Sequence, residues 1–138
     1  MPESEDTVTE VPEAPQPATE ILQTDLDFLE IDHDLGLSYC FGSEEIYQEI
    51  LLAFCEQARE YLPQLETQFS NCNWEQYAII AHGIKGNALN IGASNFSKLS
   101  LQHEQAGKRK DSAFIMKECT KYISTLRSLI DKIEKMLA

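Results

Sequence analysis

No lysine or arginine occurs before Arg59, and no apolar run approaches the roughly 20 residues a bilayer span requires. The N-terminus lacks both a basic n-region and an apolar stretch, so no secretory signal peptide is expected. These two absences argue against membrane insertion and predict a cytoplasmic protein. The four cysteines, Cys40, Cys55, Cys72 and Cys119, show no C-x-x-C spacing, so a zinc or redox motif is not supported. Cys55 and Cys119 fall on apolar helical faces and read as small buried hydrophobes in a reducing compartment, while Cys72 lies near a helix start. The three histidines lack H-E-x-x-H spacing, so no metal site is expected. There is no glycine-rich phosphate loop, hence no nucleotide site. Neither a strand pattern nor an internal repeat is present.

Positive charge is scarce and unevenly placed. The net charge is −12, and residues 1–34 hold eleven acidic residues and no basic one. The remainder holds twelve acids against eleven bases, a net of −1. Phosphate contacts need clustered cations, so nucleic acid is not an expected partner. The one basic run, Lys108–Arg109–Lys110, sits between Gly107 and Asp111 and reads as a solvated turn.

What is present is helical periodicity. The chain has 138 residues, 43% of them hydrophobic, enough for one domain and a tail. Residues 1–33 read as an acidic disordered tail or linker, with prolines at 2, 12, 15 and 17. Within the transitional part, Ile21, Leu22, Leu26, Phe28, Leu29 and Ile31 could pack on the domain, and "DHDLGLSYC" could form a short helix broken at Gly42. From Ser43, an N-cap residue, apolar positions Ile46, Ile50, Leu51, Phe54, Ala58, Tyr61, Leu62, Leu65 and Phe69 trace one helix face. Pro63 should kink or split that helix.

Asn73, with Gln76 three residues on, starts the next helix, whose core face is Trp74, Tyr77, Ala78, Ala81, Ile84, Ala88 and Ile91. Gly92 ends or bends it. A shorter helix carries Phe96, Leu99, His103 and Ala106 and stops at Gly107. Asp111 caps the last, whose face is Ile115, Cys119, Tyr122, Leu126, Leu129, Ile133 and Met136. The prediction is an all-α antiparallel up-down four-helix bundle over residues 34–138, with an extra short N-terminal helix. The seams are used up by one bundle, which predicts a monomer.

The stretch "AHGIKGNALNIGA", residues 81–93, breaks the ordinary helical pattern. His82 lies about 100° round the helix from the core residue Ala81 and faces solvent. Lys85 and Gly86 follow it by one turn. Gly83 and Gly86 each cost roughly 1 kcal/mol in a helix interior relative to alanine, so the space they leave has a use. A solvent-exposed imidazole is substantially neutral near neutral pH and can attack phosphorus. An adjacent cation would offset the charge on the phosphoryl oxygens. A lone surface histidine beside a lysine is nonetheless ordinary helix dressing, so spacing alone leaves both readings open.

The same stretch resembles the signature of histidine-containing phosphotransfer (HPt) domains: His82, Ile84, Lys85, Gly86, Ile91, Gly92 and Ala93 match it. "GLSYCFGSEEIYQEILLAF" resembles the first part of such domains, and "FSKLSLQHEQAGKRKD" the helix after the signature. The family is a four-helix bundle that shuttles phosphate between receiver domains in two-component phosphorelays. The resemblance implies His82 as phosphoacceptor, Lys85 as stabiliser of the phosphoryl group and Gly86 as keeper of an open approach. Glu104 matches a position that orients the imidazole; an ordinary exposed glutamate is the equal alternative. Ile79, Gly83 and Leu89 are candidates for receiver docking, with partial burial of Ile79 and Leu89 against a neighbouring helix as the alternative. His103 stands where the family has an aliphatic residue and reads as a packed, hydrogen-bonded core residue; His33 reads as incidental.

The partners implied are response-regulator receiver domains or a hybrid histidine kinase. No cofactor is bound by this chain, the Mg2+ belonging to the receiver. The protein is then a phosphocarrier rather than an enzyme. A non-catalytic helical adaptor is the competing reading. A phosphoacceptor domain of a larger sensor or chemotaxis-type kinase ranks lower, because the sequence ends at Ala138 directly after the last helix. A metal-dependent bundle enzyme lacks the Glu and Glu-x-x-His ligand sets.

Overall fold

The computed structural model describes residues 26–138. The expectations for residues 1–25, namely disorder, a tethering role and packing by Ile21 and Leu22, lie outside the described residues. The described residues form five helices and no strand: α1 (His33–Ser38), α2 (Glu44–Ser70), α3 (Trp74–Asn90), α4 (Ser94–Arg109) and α5 (Ser112–Leu137). Four starts are fixed by side chains that accept an otherwise orphaned amide. Asp32 caps α1 through Leu35 N–H at 3.0 Å, and Ser43 caps α2 through Ile46 N–H at 3.2 Å. Asn73 caps α3 through Gln76 N–H at 3.3 Å, and Asp111 caps α5 through Phe114 N–H at 3.1 Å.

The long helices close a ring: α2 packs on α3, α3 on α4, α4 on α5, and α5 back on α2, with α1 against α2. Short turns join these packed neighbours. The apolar faces legible in the sequence meet at the centre, where Cys55, Leu65, Ala81, Ile84, Phe96, Ile115, Leu126 and Ile133 are all buried.

Several boundaries and faces differ from expectation. Pro63 neither breaks nor splits α2, which runs unbroken from Glu44 to Ser70. Pro63 is exposed, so the Arg59 carbonyl that loses its amide partner there can turn to water. Arg59 also pairs with Glu134 of α5. Ile46 is 43% exposed, and its neighbour Tyr47 is 1% exposed in its place. The reason is α1, which covers that end of α2: Tyr47 lies against Gly36 and donates its hydroxyl to the Ile91 carbonyl at 2.8 Å. His33 is not incidental, since it pairs with Glu44 at 2.9 Å and sets its ring edge-on to Tyr47. Met136 lies in the last turn of α5, is 45% exposed, and lines an open groove with Leu26 and Lys132.

The expected stop at Gly107 is also corrected. The helix continues to Arg109, and Lys110 ends it in the left-handed conformation at φ 56°. Gly107 instead permits close packing of α4 on α3, because a Cβ there would stand 2.7 Å from the Trp74 carbonyl oxygen. The transitional segment packs on the domain as expected, with Phe28, Leu29 and Ile31 against the core. Asp32 N–H donates to the Gly92 carbonyl at 2.8 Å, Asn95 donates to the Asp27 carbonyl at 3.1 Å, and Lys132 donates to the Leu29 carbonyl at 2.7 Å.

His103 is buried, as its helical position predicts. Tyr77 Oη lies 2.8 Å from its Nδ1, and its ring stacks on Tyr122 with centroids 4.0 Å apart. Burial pushes its pKa down to about 4 from 6.5, so the folded protein holds it neutral. The unfolded chain therefore takes up the proton first as pH falls. Stability from this group is complete above pH 6.5 and declines between 6.5 and about 4, by roughly 3 kcal/mol at most. Urea unfolding across that window should show the slope in the wild type and lose most of it in His103→Gln. An equal slope in both would mean that His103 is not the titrating group.

Candidate functional site

α3 carries His82, Lys85 and Gly86, and the face they share points away from the core residues Ala81, Ile84 and Ala88. The His82 side chain is 66% exposed. Ile79 and Leu89, one turn before it and two turns after, are 58% and 44% exposed. Gly86 lies in open space, with nothing within 4 Å of the position a Cβ would take. Gly83 is different. A Cβ there would stand 2.6 Å from the Tyr61 hydroxyl, so this glycine admits a side chain of α2, and its placement in a docking rim is corrected to a packing role.

α4 supplies the group that organises the site. Glu104 is 2% exposed, which removes the reading of an ordinary surface glutamate. Its Oε2 lies 3.0 Å from His82 Nδ1 and 3.0 Å from Lys108 Nζ, while its Oε1 lies 2.7 Å from Lys85 Nζ. Burial alone would raise the Glu104 pKa. The ion pairs with Lys85 and Lys108 and the hydrogen bond from His82 overcome that and hold it down to about 2. An ionised carboxylate only accepts, so His82 Nδ1 must be the donor. In the neutral imidazole that leaves the lone pair to Nε2, which has no partner among the described residues.

The basic run is not a solvated turn. Lys108 and Arg109 belong to the last turn of α4, Lys108 reaches Glu104 one turn back, and Arg109 pairs with Asp111 at 3.3 Å. Sequence reasoning missed Lys108, although a Glu–Lys spacing of four on a helix was the available signal. A cleft of about 530 Å³ opens beside His82, with Ala78, Ile79 and Gly107 as apolar lining and Glu75, Lys108 and Lys110 among its polar groups. No group of three or more His, Cys, Asp or Glu side chains among the described residues could hold a metal. No described helix is long and apolar enough to cross a membrane.

An exposed imidazole, with one nitrogen fixed by a buried anion and the other open beside lysines, is the arrangement a histidine phosphate carrier needs. The family model for the Hpt domain matches residues 49–135. The chain belongs to the Hpt family. Comparisons with curated proteins and with solved structures gave no match. Hpt domains are helical bundles that carry out histidine phosphotransfer in two-component signalling, and they interact with receiver domains and kinases. The match begins within α2 and does not extend over α1.

Two outcomes test this geometry. Because its folded pKa is depressed, Glu104 contributes stability above pH 4.5 that is lost as pH falls towards about 2. Acid unfolding of Glu104→Gln should lack that increment; a profile like the wild type would place the titration elsewhere. Gly86→Ala should raise stability by up to about 1 kcal/mol. Gly107→Ala should lower it by roughly 1–3 kcal/mol, since a backbone oxygen must move. Equal effects in urea unfolding would contradict the contrast.

Proposed function

We propose that His82 accepts a phosphoryl group from a receiver's aspartyl phosphate and passes it to the aspartate of another receiver. The observation that carries this reading is the 3.0 Å contact between His82 Nδ1 and the buried Glu104 carboxylate. It fixes the ring so that Nε2 faces the incoming phosphorus. The Nε2 lone pair attacks, the Nε2–P bond forms, and the P–O bond to the aspartate breaks, so that the carboxylate leaves with the bonding electrons. The ring keeps its Nδ1 proton and gains positive charge, which Glu104 faces directly. Lys85 is drawn in by Glu104 Oε1 to within reach of the same ring and stabilises the phosphoryl oxygens. Transfer onward is the reverse of these steps.

Gly86 leaves room for the receiver's loops, and exposed Ile79 and Leu89 supply apolar contacts on either side of the imidazole. The magnesium that aspartyl phosphate chemistry uses belongs to the receiver. The chain offers no nucleotide-binding motif, so in this account it is a carrier that takes its phosphate from a protein donor.

Phosphotransfer from a receiver labelled on its aspartate tests the assignment. Label should move to the wild type, be lost in acid and survive alkali, and His82→Gln should take up none. Glu104→Gln should accept it about tenfold to hundredfold more slowly, the scale of a mispositioned nucleophile. Equal labelling of wild type and His82→Gln would overturn the site and leave the helical adaptor as the better account.

A further inference from the structure

Lys108 has no part in the transfer described above, yet it shares a single oxygen with the nucleophile's anchor. Its Nζ lies 3.0 Å from Glu104 Oε2, and His82 Nδ1 lies 3.0 Å from that same oxygen. Lys85 takes the other oxygen, at 2.7 Å. One buried carboxylate therefore meets two ammonium groups before the imidazole is counted. From the geometry we infer that Lys108 is a positioning residue for phosphotransfer: by sharing Glu104 Oε2 it balances the carboxylate's charge, so that Glu104 orients His82 without holding it protonated.

The need for such a device follows from the chemistry. A buried carboxylate beside a histidine stabilises the imidazolium, and an imidazolium has no lone pair with which to attack phosphorus. The proton on Nε2 must leave before the Nε2–P bond can form. An anion that orients the ring therefore also opposes the reaction, unless cations share its charge. Lys85 cannot serve both purposes alone if it turns to the phosphoryl oxygens during transfer. Lys108 can remain on Glu104, one helical turn away on the same helix.

The other charged groups near the ring do not replace it. Glu75 and Lys110 line the same cleft, and neither has an ion-pair partner among the described residues. Tyr61, from α2, reaches α3 at Gly83. Arg109 is engaged by Asp111. Among the described residues, Lys85 and Lys108 are the ammonium groups in contact with Glu104.

This inference rests on His82 as the phosphoacceptor, and the test separates the two. The full chain is loaded with phosphoramidate, a small phosphoryl donor that needs no docking partner, and phosphohistidine is followed from pH 5 to 9. Wild type, Lys108→Ala, Lys108→Arg, Lys110→Ala and His82→Gln are compared, so that the donor's own pH dependence is common to all. Lys108 is 68% exposed at a helix end, and folding of each variant is checked by its helical circular dichroism.

Lys108→Ala should move the midpoint of the loading profile upward by about half a unit to one unit, the effect of removing a cation several ångströms away. Loading at pH 7 should fall about two- to fivefold as a result. Lys108→Arg should restore the wild-type midpoint, and Lys110→Ala should move it by less than a third as much. A Lys108→Ala profile that superimposes on the wild type overturns the inference, as does an equal shift in Lys110→Ala. If the wild type takes up no more label than His82→Gln, the phosphoacceptor reading itself fails.

Discussion

The contact between a buried carboxylate and three nitrogen donors governs this site. Glu104 leaves water on the packed face between α3 and α4, which is tolerable only because Lys85, Lys108 and His82 meet it there. The close approach of the two helices is what brings the donors within reach. That approach depends on Gly107, where any side chain would strike the Trp74 carbonyl, and on the small residue Ala78 in the facing helix. Packing at the centre of the bundle thus sets the chemistry at its surface.

The helical class and most of the core were legible, because steps of three and four residues mark a buried stripe without any knowledge of the neighbours. The stretch around His82 stood out for a related reason, although its spacing alone left its role open. His82 and two glycines interrupt a stripe that is otherwise regular, and the interruption has no structural benefit of its own at Gly86. Glu104 was not decidable. It lies 100° from His103 on the helix, at the border between the buried face and the solvent, and local pattern cannot say which side a border residue takes. Two of the three partners that settle the matter, His82 and Lys85, come from α3, about twenty residues away.

The misplaced elements share one cause: each depends on something outside its own segment. Ile46 was exchanged for Tyr47 because α1 packs on that end of α2. Pro63 was tolerated because it falls on the exposed side of a helix held by its other face. Gly107 looked like a terminator and proved to be a point of close helix packing, so that Lys108 moved from a turn into the site. His103 shows the converse. Its inward position was readable from periodicity, and the structure surrounds it with Tyr77, Tyr122 and Phe114.

The central claim is that Glu104 fixes one nitrogen of His82 so that the other takes the phosphate. Nuclear magnetic resonance of the 15N-imidazole-labelled protein, before and after phosphorylation, tests it most directly. The account predicts a proton on Nδ1 in the free protein and phosphorus–nitrogen coupling at Nε2 in the loaded one. Coupling at Nδ1, or a free ring protonated on Nε2 alone, would contradict it.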